Sequence, residues 1–212
     1  MTKVIALMYD FDQTLAPQCM QEPLFKKYGI KGEEFWEEKN AWVKTEKAKG
    51  VNLDFEFAYL NLMLKYVREG KFPRLSNAEL KEFGKEIDFY PGLPEFFSGV
   101  TETIEQENAD VQVEHYVITT GIRQMVEGSK IGSYLDGIFA SEFLEEEQDG
   151  HNVISGIARA IGFIKKTEYL HLINKGGNVD TSIDINGMLP PAQRRVPFEN
   201  MFFIGDGFTD IP

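Results

Sequence analysis

The sequence predicts an α/β fold: a parallel sheet core with a helical insertion directly after its first strand. Three observations carry this prediction. The apolar run at residues 4–8 has the length and character of a strand buried on both faces of a parallel sheet. Residues 17–90 hold four helical patterns and no convincing strand. From residue 111 onward strands and helices alternate. The core is therefore expected over residues 1–16 and 91–212, and the helical insertion over 17–90.

Taken in order, the first helix is expected over residues 20–28 and stops at Gly29. The second covers 33–47 and ends near Gly50, with Phe35, Trp36, Trp42 and Val43 spaced for one face. The third, 53–68, is dense in Phe, Leu, Met and Tyr and closes at Gly70. A fourth begins at Ser76, where Glu79 completes a capping-box pattern, and runs to about Ile87. Tyr90-Pro91-Gly92 punctuates the chain before a helix over 93–107. A strand over 111–119, a mostly helical 122–134 and a short strand over 137–141 follow. Asp149-Gly150 marks a hairpin-like turn between Phe143 and Ile157. A helix over 166–174 and an apolar strand over 201–204 complete the pattern. Residues 176–200, rich in Gly, Pro and Asn, read as a long loop with a short helix around 191–195. Arg194 and Arg195 read there as a solvated pair, with phosphate contact as the alternative.

A length of 212 residues suits one substantial core, or a core plus a smaller inserted domain. The net charge of −12 argues against nucleic acid or an anionic membrane surface as the main partner, because both demand a basic patch. No apolar stretch is long enough to span a bilayer, and residues 4–8 are too short for a signal-peptide core. The single Cys19 excludes an intramolecular disulfide and fits a reducing, cytoplasmic setting. It reads as a small buried hydrophobe rather than a reactive thiol.

Asp10-Phe11-Asp12-Gln13-Thr14-Leu15 follows the first strand directly. Acids at i and i+2 of an extended segment point the same way, and their repulsion is costly unless a divalent cation or a shared proton compensates. Metal binding, acid/base chemistry, or both are implied, against the bland reading of a polar strand end. Thr119-Thr120-Gly121 closes the second strand with a hydroxyl and open backbone N–H groups facing the same crevice. Lys165-Lys166-Thr167 opens a helix that could bring an ammonium beside the carboxylates. Gly205-Asp206-Gly207-Phe208-Thr209-Asp210 follows the last strand and adds two more acids. Singly, these read as readily as a helix cap, a solvated charge and a surface turn.

Together and in this order, the four signals resemble the motifs of the haloacid dehalogenase superfamily. Asp10 to Leu15 match its Asp-x-Asp-x-Thr-Leu, Thr119 its strand-ending Ser or Thr, Lys166 its helix-start Lys, and Asp206 with Asp210 its Gly-Asp-Gly followed by Asp. The resemblance implies a Rossmann-like parallel sheet core with a type 1 helical cap. It implies that Asp10 attacks phosphorus to form an aspartyl phosphate and that Asp12 shuttles the proton. It also implies Mg²⁺ held by Asp10, the backbone carbonyl of Asp12, and Asp206. Thr119, the N–H groups around Thr120 and Gly121, and Lys166 would bind phosphate. Lys166 is preferred to Lys165 because it precedes Thr at the helix start. Asp210 would orient Lys166 or a metal-held water.

The second acid, Asp12, favours a phosphatase acting on a small phosphorylated metabolite over a dehalogenase, since a halide leaving group needs no proton. A phosphonatase using a cap lysine, a phosphomutase, and a non-catalytic phosphate or metal sensor stand as alternatives. The Asp-Gly turn ahead of the lysine motif resembles the phosphoserine phosphatase branch. Cys19, however, stands where that branch carries the glutamate that reads the amino acid, so phosphoserine is not the expected substrate. Gln13 departs from the commoner Gly or Ser, and either contacts substrate or packs in the turn. Trp36, Trp42, Phe55, Phe57 and Tyr59 are expected as cap core rather than ligand lining. The resemblance further implies a helix and a strand after Asp210, so one edge of the sheet is expected to be incomplete.

Overall fold

In the computed structural model, which describes residues 2–184 and 186–207, five strands form one sheet in the order β4-β3-β2-β1-β5. β1 (Lys3–Tyr9) pairs in parallel with both β2 (Val111–Ile122) and β5 (Met201–Ile204). β3 (Gly137–Gln148) runs parallel to β2, and β4 (His151–Arg159) returns antiparallel to β3. Side chains of β1 alternate between two apolar clusters: Leu7 and Tyr9 enter one, and Val4, Ala6 and Met8 the other. Both faces are thus buried, as an uninterrupted apolar run requires.

Between β1 and α5 (Glu95–Glu107) lie four helices: α1 (Glu22–Tyr28), α2 (Gly32–Ala48), α3 (Phe55–Arg68) and α4 (Asn77–Gly84). Gly29 closes α1 in the left-handed conformation, φ 65°. The Ser76–Glu79 capping box starts α4 as expected. The helix stops at Gly84 rather than near Ile87, where it crosses α6 (Arg123–Gly128) at close range. A Cβ at Gly84 or at Gly128 would collide with the backbone carbonyl of Met125 or of Lys81. Phe25, Phe35 and Tyr59 from the helices, with Phe72 from the α3–α4 connection, share one buried cluster with Tyr9, Val117, Ile122 and Phe143 from the sheet.

Several expected boundaries move. β2 runs three residues past Thr119, with an irregular register between Ile118 and Ile122. α6 is short because Ser129 turns extended while its hydroxyl donates to the carbonyl of Val126; a 3-10 turn, Gly132–Tyr134, follows. β3 is one long strand where a short strand and a separate hairpin arm were expected. It pairs with β2 early and with β4 later. Asp149 and Gly150 both take positive φ (50° and 75°) between the paired Gln148 and His151, the two-residue turn whose twist suits a hairpin. α7 (Phe163–Lys175) starts three residues earlier than expected and ends at left-handed Gly176.

The long loop contains the expected short helix as a 3-10 turn, Pro191–Gln193, and a second at Phe198–Asn200. Neither reading of the arginine pair holds for Arg195, whose guanidinium grips the buried Glu114 with two nitrogens. Tyr116 also donates to Glu114, at 2.6 Å, and Asn178 donates to the Tyr116 hydroxyl at 2.9 Å. Arg194 lies 5.5 Å from the Phe198 ring. Of the five helical aromatics, Tyr59 is core and Trp36 and Trp42 are half-buried. Phe55 and Phe57 instead stay 41% and 44% exposed, against the core expectation. β5 lies at the sheet edge with Phe202 and Ile204 exposed. No helix among the described residues is long and apolar enough to cross a membrane.

Candidate active site

From β1 the chain reaches β2 on one side, while β5 arrives on the other, so the carboxyl end of β1 is the point in the sheet where connections diverge. Open α/β sheets form ligand crevices at such points. Asp10 sits there, its N–H donating to Ile204 of β5 at 2.9 Å. One carboxylate oxygen accepts from the Phe11 N–H at 2.8 Å, and the other lies 3.0 Å from Lys166 Nζ. The backbone then coils, with the amides of Leu15 and Ala16 donating to the Phe11 carbonyl. Gln13 occupies the left-handed region at φ 61°, a conformation glycine adopts at no steric cost, and its side chain is exposed rather than packed in the turn.

Asp12 accepts from the Met20 N–H at 2.8 Å. Burial pushes its carboxyl up to about 7; the charges of Asp10 and Asp206 add to this, while the Met20 N–H and Lys166 oppose it. A carboxyl that exchanges its proton near neutrality is suited to acid/base work.

Thr119 is buried in β2, and its hydroxyl accepts from the Gly121 N–H at 3.0 Å. That amide was expected to stand open; it is engaged inside the motif instead. The Ile122 N–H contacts Met20 Sδ at 3.1 Å, and a Cβ on Gly121 would press on that sulfur at 2.6 Å. Met20 thus touches both motifs, through its amide and its thioether. The Thr120 carbonyl accepts from Tyr59 Oη at 2.6 Å and from Ser141 Oγ at 3.0 Å. Ser141 in turn accepts from the Ile161 N–H at 3.1 Å.

Burial separates the two lysines of the third motif: Lys166 is buried and reaches Asp10, whereas Lys165 is exposed. Asp206 follows β5, is exposed, and makes its charge felt at Asp12. Asp210 lies outside the described residues. Asp10, Asp12, Thr119 and Lys166 are therefore gathered at neighbouring strand and helix ends. Met20 and Ser141 join them without having been singled out in the sequence, and Tyr59, expected only as core of the helical insertion, joins them through its hydroxyl. Met20 and Tyr59 carry only the signature of apolar helix positions, and Ser141 that of a polar residue on a strand.

Among the described residues no three His, Cys, Asp or Glu side chains are grouped to hold a metal ion by themselves. The expected set is different, using the carboxylates of Asp10 and Asp206 with a backbone carbonyl. Its donors are hard oxygens, and Asp12 faces the charges of two further acids, Asp10 and Asp206, against the single ammonium of Lys166. That excess of negative charge fits a hard divalent cation. The Cys19 thiol is pushed up to about 12 by burial and by the charges of Asp12 and Glu22, so it stays protonated and un-nucleophilic.

No protein-family model matches the chain. An uncharacterized protein of Borreliella burgdorferi is 33% identical over 222 residues, covering 99% of this chain and 76% of that protein. Among solved structures, a HAD-family hydrolase from Salmonella enterica subsp. enterica serovar Typhi superposes with a TM-score of 0.59 at 17% identity over 100% of this chain. The chain spans 59% of that hydrolase's length. A substrate-bound phosphoserine phosphatase gives a TM-score of 0.59 at 19% identity, over 100% of this chain and 81% of its own. At these identities the likeness is one of fold.

Proposed function

We propose that this chain, which belongs to one family with the uncharacterized Borreliella burgdorferi protein and has the haloacid dehalogenase fold, is a phosphatase-type hydrolase. More finely, we read it as a Mg²⁺-dependent phosphomonoesterase acting on a small phosphorylated molecule. The observation that carries the reading is the 3.0 Å contact between Asp10 and Lys166 beside a second carboxyl, Asp12, pushed up to about 7.

In this reading Asp10 attacks phosphorus in line, forming an aspartyl phosphate as the ester P–O bond breaks. Asp12 in its acid form gives its proton to the leaving oxygen. As a carboxylate it then takes a proton from the water that attacks the phosphoenzyme, which releases phosphate and restores Asp10. Lys166 places its ammonium against the phosphate oxygens, and Thr119, whose oxygen already accepts from Gly121, donates its own proton to them. Asp10, Asp206 and the Asp12 carbonyl would hold Mg²⁺, whose charge, when bound, offsets that of the phosphate.

The test is turnover of phenyl phosphate with and without Mg²⁺ by the wild type and Asp10→Asn. The variant is expected to lose roughly 10³ or more, by analogy with other covalent catalysts. Unchanged Mg²⁺-dependent turnover in Asp10→Asn overturns the reading. A dehalogenase would be indifferent to Asp12→Ala, whereas the phosphatase is slowed in both steps.

A further inference from the structure

Met20 is fully buried where the chain leaves the first motif for α1. Its N–H donates to Oδ1 of Asp12 at 2.8 Å, and among the described residues this is the one hydrogen bond that the Asp12 carboxylate accepts. Its Sδ accepts from the N–H of Ile122, 102 residues further along, at 3.1 Å. Ile122 is fully buried as well, so no water replaces the sulfur if it is removed. A thioether is a weak acceptor on a flexible stem, held by its neighbours rather than by its own torsions. The neighbourhood makes room for it: a Cβ on Gly121 would overlap Met20 Cε and press on Sδ.

The path of the chain joins the two contacts. Before Met20 the backbone coils on the Phe11 carbonyl, and after it the amides of Glu22 and Phe25 donate to the Cys19 and Gln21 carbonyls as α1 begins. Met20 therefore stands at a junction between coil and helix, and its side chain fastens that junction to Ile122, the last residue of β2. Fastening the junction fixes the amide that Asp12 accepts from. A carboxyl oxygen already engaged by an N–H is the poorer seat for a proton, so a proton on Asp12 resides on Oδ2.

We propose that Met20 is a positioning residue for Asp12: with its thioether seated on the Ile122 N–H, its own N–H holds Oδ1 and leaves Oδ2 set to deliver the proton to the leaving oxygen. The role in turnover rests on the phosphatase reading; the tie from β2 to Asp12 does not. Met20→Leu keeps the volume and removes the acceptor, whereas the side-chain carbonyl of Met20→Gln restores one. Two probes separate the effects, since phenyl phosphate needs a proton on its leaving oxygen and 4-nitrophenyl phosphate departs as a stabilised anion. Single-turnover release of the phenol isolates the first step. Met20→Leu is expected to slow phenyl phosphate roughly tenfold or more, a part of what a general acid contributes, with 4-nitrophenyl phosphate and both half-saturating concentrations little changed. Met20→Gln regains most of that loss. Both rates come from one preparation, so their ratio is independent of how much of a variant is folded.

Amide hydrogen exchange gives the same comparison without turnover: the amides of position 20 and of Ile122 are expected to exchange faster in Met20→Leu than in the wild type or Met20→Gln. Faster exchange at both, in a protein that hydrolyses neither probe, sustains the tie from β2 to Asp12 while removing the phosphatase. An unchanged rate on phenyl phosphate in Met20→Leu, where the wild type hydrolyses it, removes the role of Met20 alone. Equal slowing of both probes by both variants, with exchange raised throughout the chain and lowered melting temperatures, makes Met20 an ordinary core residue and overturns the proposal.

Discussion

The Thr120 carbonyl offers a sharp test of how the helical segment is tied to the crevice. Two donors converge on it, Tyr59 Oη at 2.6 Å and Ser141 Oγ at 3.0 Å, and Tyr59 and Ser141 are both buried. Tyr59→Phe removes one donor and leaves the other, so the loss should be about 1 kcal/mol, the ordinary net worth of a hydrogen bond. Ser141→Ala removes the second donor and also orphans the Ile161 N–H, whose residue is fully buried. Leaving a buried amide unpaired adds its desolvation penalty, for a total of about 2–3 kcal/mol.

In the double variant the carbonyl loses both donors, and the loss should exceed the sum of the single losses by about 1 kcal/mol or more. Urea unfolding with a common m-value measures all three; for a chain of this size each kcal/mol corresponds to roughly 2–4 °C in Tm. If Tyr59→Phe costs as much as Ser141→Ala, or if the two losses simply add, the shared acceptor is not what holds α3 to β2.

Three further outcomes follow from the same geometry. Asp12→Asn should lower kcat by roughly 10²–10⁴ and remove the ionisation near 7 from the pH–rate profile of whatever activity remains; wild-type turnover would take Asp12 out of the proton shuttle. His115 is buried between Tyr9 Oη (3.1 Å) and Thr101 Oγ1 (2.9 Å), and burial holds its imidazole below the ordinary value of about 6.5. The unfolded chain then binds the proton first, so the contribution of His115 is full above about 6.5 and declines as pH falls below it. The difference in unfolding free energy between wild type and His115→Asn should shrink over that range, and a difference that is flat with pH contradicts the buried neutral ring. Arg195→Ala strands the buried Glu114 and should cost about 3–5 kcal/mol in denaturant unfolding. A cost below about 1 kcal/mol would mean that the ion pair behaves as a surface one.

Local signals account for much of the agreement between sequence and structure. The capping box at Ser76, the glycine stop after α1, the Asp149-Gly150 turn and the apolar run of β1 each act within a few residues, and all appear where expected. Boundaries moved where a distant partner intervened. α4 ends early at its glycine crossing with α6, and β3 is extended by pairing with β4. Arg195 was misread because its partner, Glu114, lies 81 residues away.

The same division runs through the site. Sequence alone determined the order of the motifs and the chemistry they offer: two acids after a strand, a threonine, a lysine and further acids, each at the end of an element. Periodicity and turn chemistry are written in neighbouring residues, so these features needed no long-range information. Which lysine is buried against Asp10, why Asp12 holds its proton up to about 7, and how Met20, Tyr59 and Ser141 brace the second motif were decided only by the tertiary structure. Desolvation and hydrogen-bond partnership depend on what surrounds a group in space, and for these residues the surroundings come from segments far apart in the chain.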